Sequence, residues 1–121
     1  MNRIEFLNSL TSVLINNEQK KQLSAVYNFE IPEIILKILS KYPLPVLFDE
    51  KRTRTLSFNE VIHAEEDNGV SFASKNLIPV VDAGDNDYIV YNKASNNWCM
   101  YNIVDETIFD ETDSFENLFL K

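Results

Sequence analysis

The sequence is poor in the residue types from which most catalytic and metal sites are built. It contains one histidine, His63, one cysteine, Cys99, and only two glycines. A structural zinc site takes four thiolate or imidazole ligands, so the histidine and cysteine count excludes one. A Cys–His nucleophile pair would need these two side chains adjacent in space, and no Asn or Asp motif accompanies them. A cysteine inside a strand pattern is more often a small buried hydrophobe. Two glycines leave no Gly-rich phosphate loop, and with four prolines they argue against a loop-dominated chain. A single cysteine forms no internal disulfide, which favours a reducing compartment. Long apolar runs are missing as well. Arg3 and Glu5 stand where a secretion signal needs an unbroken apolar segment, and no later stretch approaches membrane-spanning length. These absences predict a soluble, cytoplasmic protein with no catalytic residue, no metal and no cofactor.

What is present is a chain of 121 residues, 45% hydrophobic and 12% aromatic, which predicts a single globular domain over residues 1–121. The net charge of -8 is unevenly spread. Residues 1–59 carry eight basic and six acidic groups, whereas residues 60–120 carry two basic and thirteen acidic ones. A field of that sign repels phosphate backbones and anionic lipid, so nucleic acid and membrane are disfavoured as partners. It would speed encounter with a basic protein, and it would equally serve plain solubility.

The pattern around which the chain is arranged lies at residues 77–104. Three short runs rich in Val, Ile, Tyr and Trp alternate with clusters of Gly, Asn, Asp and Ser, which predicts a three-stranded antiparallel meander. Upstream, apolar residues at three- and four-residue steps predict an amphipathic helix over residues 4–15. A second helical piece is expected over residues 18–26 with Asn17 as its cap, and a third led by Pro32 and stopped by Pro43 and Pro45. Strands are expected at residues 46–49 and 53–58, joined by a charged turn at residues 50–52. A short helix capped by Asn59 should follow, then a turn at Asn68-Gly69 and a short strand at residues 70–72. Residues 105–112 read as an acidic loop, and residues 113–120 as a closing helix capped by Asp113 with Glu116 three positions on. The fold class is therefore α+β: an antiparallel sheet of about five to six strands packed with N-terminal helices and a short C-terminal helix.

Within the meander, alternation places Ile89 and Tyr91 on one face and Tyr88 and Val90 on the other; Trp98 and Met100 oppose Cys99, Tyr101 and Ile103. Both faces are apolar. Either helices cover one face and leave interface-type aromatics open on the other, or a central strand is covered on both sides; periodicity leaves the choice open. Asp82, Asp85, Asn86 and Asp87 invite a calcium reading, but Gly84 falls third where an EF-hand loop needs its glycine sixth. The same residues serve as ordinary turn formers.

Several segments taken in order resemble the SUKH superfamily of Smi/Knr-like proteins. Residues 23–42 resemble its proline-led helix, and residues 56–62 its strand running into a short helix. Leu77-Ile78-Pro79-Val80 followed by Asp82-Ala83-Gly84-Asp85 is similar to its Ile-Pro block and acidic turn. Residues 88–91 and 98–101 match its next two strands, and residues 114–120 its closing helix. The chain departs from the pattern at residues 41–45, where the family commonly has an Asn-Gly pair. The resemblance implies a non-enzymatic binding role, in bacteria commonly that of an immunity protein neutralising a polymorphic or contact-dependent toxin. The expected partner is then a basic toxin domain, such as a nuclease. The expected contacts are Asp82, Asp85, Asp87, Asp105 and Glu106 with Tyr88, Tyr91, Trp98 and Tyr101. An intracellular scaffold of the same fold is the alternative, and a hydrolase using clustered carboxylates is a third reading.

Overall fold

The computed structural model describes residues 1–48, 53–64 and 72–121. The expected turn at residues 50–52, the Asn68-Gly69 turn and most of the expected strand at residues 70–72 lie outside the described residues. The fold is α+β. Six strands form one open antiparallel sheet in sequence order: β1 (Leu47–Phe48), β2 (Thr53–Thr55), β3 (Leu77–Gly84), β4 (Asp87–Asn92), β5 (Asn97–Asn102) and β6 (Thr107–Thr112). Among the described residues, five helices accompany it: α1 (Arg3–Ser9), α2 (Asn17–Tyr27), α3 (Glu33–Lys41), α4 (Phe58–Ile62) and α5 (Phe115–Phe119). A 3₁₀ turn spans Ala73–Lys75. None of these helices is long and apolar enough to cross a membrane.

The helices start and stop for local reasons. α1 ends at Ser9 because Ser9 Oγ donates to Phe6 O at 2.6 Å and Thr11 Oγ1 to Asn8 O at 3.0 Å. Hydroxyls that bind nearby carbonyls in this way offer the backbone an alternative to the helical ladder, so the helix is shorter than its apolar spacing suggests. Asn16, not Asn17, caps α2, its Oδ1 accepting from Glu18 N and Gln19 N. Pro32 sits one position before α3 rather than inside its first turn. Ser57, not Asn59, caps α4, in a reciprocal capping box with Glu60. Ser114, not Asp113, caps α5 through Asn117 N.

Strand pairing fixes the two faces of the sheet. Phe48, Val81, Ile89, Trp98 and Met100 share one face; Tyr88, Val90, Cys99 and Tyr101 share the other. On the first face, rings run in an unbroken line from Tyr91 through Trp98, Phe115, Phe119, Phe48 and Phe6 to Tyr42. Every step has centroids 5.0–5.3 Å apart, the spacing at which aromatic pairs add to plain area burial. This line ties α1, α5 and the end of α3 to the sheet. On the second face Phe72 sits edge-on to Tyr88 and Tyr101, at 6.1 and 6.0 Å. A buried hydrogen bond from Tyr27 Oη to Val61 O, 2.6 Å, joins α2 to α4.

Residues 105–112 are a correction to the sequence reading. Thr107–Thr112 form an edge strand, with a register shift opposite Trp98/Met100 and Asp110 in the left-handed region at φ 53°. The bulge breaks the strand's alternation, which is why the segment reads as loop.

Candidate functional site

Two acidic turns lie side by side at one end of the sheet. The first joins β3 to β4 through residues 85–86, closed by the Gly84–Asp87 pair. Asp85 and Asn86 have φ of 54° and 67°, so this is a type I′ hairpin turn, whose twist matches that of the strands it joins. Just before it, Asp82 Oδ1 accepts from Gly84 N at 2.9 Å, where the register shifts by a bulge. The second turn, residues 103–106, joins β5 to β6, with Glu106 at φ 56°.

Asn102 binds one turn to the other. Its Oδ1 accepts from Val104 N and Asp105 N at 3.0 and 2.9 Å, while its Nδ2 donates to Asp87 Oδ1 at 2.9 Å. Ile103 N also donates to Asn86 O at 3.0 Å. Asp85, Asp105 and Glu106 are exposed, and Asp87 is half-buried. The structure thus brings four of the five expected carboxylates to one end of the sheet, on backbone held by side chains rather than left to swing. Glu106 pairs with Lys75 across 3.2 Å, and this carboxylate raises the lysine's pKa.

Asp82 has a different setting. Arg54 forks onto Glu60 with both nitrogens at 2.8 Å and reaches Asp82 Oδ2 at 3.8 Å. The hydrogen bonds from Arg54 hold the Glu60 carboxyl below its usual pKa, outweighing the opposing effect of burial. Glu60 in turn raises Arg54. This group links β2, α4 and β3, and bidentate geometry of this kind positions elements as well as attracting charge.

The aromatics occupy the core. Tyr88, Trp98 and Tyr101 are buried and Tyr91 is half-buried, its hydroxyl donating to Asn96 Oδ1 at 3.1 Å. The sheet centre is covered on both sides, which is why both faces of these strands are apolar. Burial raises the pKa of Tyr88 and Tyr91 and pushes the Cys99 thiol up to about 11, so little nucleophilic thiolate forms at neutral pH. Among the described residues, no three His, Cys, Asp or Glu side chains converge as a metal-ligand set.

A cavity of about 250 Å³ opens on the Phe48 face between α1, α5 and β6. Ile89, Met100, Phe109 and Leu118 supply its apolar wall and Arg3 and Lys121 its cations; none of the nine expected contact residues lines it. Lys121 pairs there with Asp110 at 3.1 Å. Sequence reasoning missed Asn102, although an Asn immediately before a turn is a known backbone-binding signal. It also missed the exposed apolar pair Ile108 and Phe109 on β6.

No protein-family model matches the chain, and neither the curated proteins nor the solved structures contain a match.

Proposed function

We propose that this chain is a cytoplasmic binding protein of the immunity type, which neutralises a basic toxin domain by docking it on the acidic end of the sheet. The observation that carries this reading is the juxtaposition of Asp85 and Asp87 with Asp105 and Glu106, held by Asn102. Clustered, preorganised charge of one sign raises association rates with an oppositely charged partner. The uneven charge of the sequence and its resemblance to Smi/Knr-like immunity proteins point the same way. Asp82 serves on this reading as part of the frame behind the turns, and Tyr88, Trp98 and Tyr101 as their support.

The test is capture of a toxin domain encoded beside the gene, followed by association kinetics from low to high salt. The on-rate should fall severalfold as salt screens the charges. Asp85→Asn with Asp87→Asn keeps residues that tolerate the turn geometry while removing its charge. This pair should lower the on-rate by roughly tenfold with the thermal midpoint unchanged. Salt-independent association, or an unchanged on-rate in the double variant, rejects the acidic turns as the docking site. A neighbouring gene for no toxin, with a host signalling protein captured instead, would favour the scaffold reading.

A further inference from the structure

The geometry points to a second element of recognition: the free edge of β6 accepts an extended segment of the partner as a seventh strand, one in which basic and apolar residues alternate. This rests on the protein-docking reading above and adds to it the backbone chemistry of the contact.

The two edges of the sheet are unequal. Among the described residues β1 contributes two, whereas β6 contributes six and borders no further strand. An edge strand presents unpaired N–H and C=O groups, the template on which an incoming strand pairs. β6 also exposes apolar side chains on both its faces, Ile108 at 47% and Phe109 at 39%. On the Cys99 face, Ile108 is flanked along the strand by Glu106 and Glu111; Glu111 lies on this side because Asn97 Nδ2 donates to it at 3.0 Å. On the opposite face Phe109 forms one wall of the 250 Å³ cavity. An added strand would therefore meet Glu111 and the Lys75-paired Glu106 around Ile108 on one face, and on the other the Phe109 ring and an apolar wall rimmed by Arg3 and Lys121. The period-2 geometry of a strand converts that into alternating basic and apolar residues.

Charge decides against a second copy of this chain. Residues 102–121 carry six acidic groups and one lysine, so pairing two β6 strands would set like charges against each other. The Asp110 bulge and the edge carboxylates guard against self-pairing in the way edge strands commonly do. A basic segment turns the same carboxylates into attraction. The bulge confines the regular ladder to residues 107–109, so the strand contact is short and works together with the acidic turns rather than alone.

Three synthetic peptides test this: acetyl-(Lys-Val)4-amide, the same peptide N-methylated at every residue so that neither edge keeps an N–H donor, and acetyl-(Glu-Val)4-amide. Binding is followed by amide shifts and hydrogen exchange of the isotopically labelled protein. The first peptide should bind saturably and slow exchange of β6 amides by about tenfold or more. The N-methylated form keeps the charge but cannot pair, and should bind at least about tenfold more weakly; the acidic form should not bind. Glu106→Gln with Glu111→Gln should weaken the first peptide severalfold, and Phe109→Ser should do so without changing its salt dependence. Equal binding of the N-methylated peptide, shifts that spare β6, absence of binding, or β6 protection that grows with protein concentration alone would each overturn the proposal. If they do so while a toxin domain still docks in a salt-dependent manner, the acidic-turn reading stands without the added strand.

Discussion

At one edge of the sheet the described residues of β1 are Leu47 and Phe48, and Phe48 is wholly buried against Phe6 and Phe119 with both ring contacts edge-to-face. At the other edge the six residues of β6 lie mostly in solvent, the ladder bent at Asp110. The difference separates what the fold needs from what it can offer. At the β1 edge the Phe48 ring turns into the core and holds α1 and α5, while Leu47 stays exposed. The β6 edge keeps its backbone groups and carboxylates available to something outside the chain.

The contrast is sharpest in truncation of one ring at each edge. Phe48→Ala removes the junction between α1, α5 and the sheet and should lower stability by about 3–5 kcal/mol. Phe109→Ala should cost less than about 1 kcal/mol, since much of that ring already meets water. Urea unfolding of the two variants checks the pair, and comparable losses would erase the distinction between the edges.

A middle-sized effect is expected behind the acidic turns, at the Arg54–Glu60–Asp82 group. Glu60→Gln should cost about 1–2 kcal/mol near pH 7, discounted from a fully buried pair because both side chains are about a third exposed. Because Arg54 holds the Glu60 carboxyl below its usual pKa, its contribution is present above the unfolded value of about 4.3. It is lost as pH falls from there through the folded value. The parent and variant stability curves should accordingly converge in acid; a gap that persists once the carboxyl is protonated in the folded state would assign the loss to packing instead.

The smallest effect has the opposite sign. Asp110 holds φ 53°, a conformation glycine adopts freely, and its contact with Lys121 is exposed on both sides. Asp110→Gly should raise stability by a few tenths of a kcal/mol, up to about 1 kcal/mol. Calorimetry would show this as a slightly higher midpoint. A clear loss would mean that the bulge at the free edge is held by the aspartate side chain itself.

Much of the fold is legible in the residues because local signals and tertiary packing agree. The turn expected at residues 83–86, the β-rich runs of the meander and the apolar spacing of Ile34, Ile35, Ile38, Leu39 and Tyr42 each point to the element observed, although Leu36 rather than Ile34 is the fourth buried residue of α3. The failures have local causes. α1 is overextended in the sequence reading because Val13 and Leu14 fit a helical stripe, while the hydroxyls of Ser9 and Thr11 divert the backbone before them. β6 is invisible because a bulged strand exposed on both faces has no two-residue period to detect. For the candidate site, composition locates the carboxylates but not their neighbours. Only pairing across β4 and β5 shows Asn102 bridging its own turn to Asp87, fifteen residues earlier, and only packing against Phe72 and Phe115 shows that Tyr88, Tyr101 and Trp98 face inward.

Strand order that copies chain order has a kinetic consequence. Each hairpin of the meander closes through two to four residues, so every new ribbon zips onto its predecessor at little cost in loop entropy. Nucleation is expected at β3–β4–β5, where tight turns and buried Ile, Val and Tyr coincide, with β6 annealing late and fraying first. The border that frays first is also the one whose backbone groups are most readily reached from outside while the rest of the molecule stays intact.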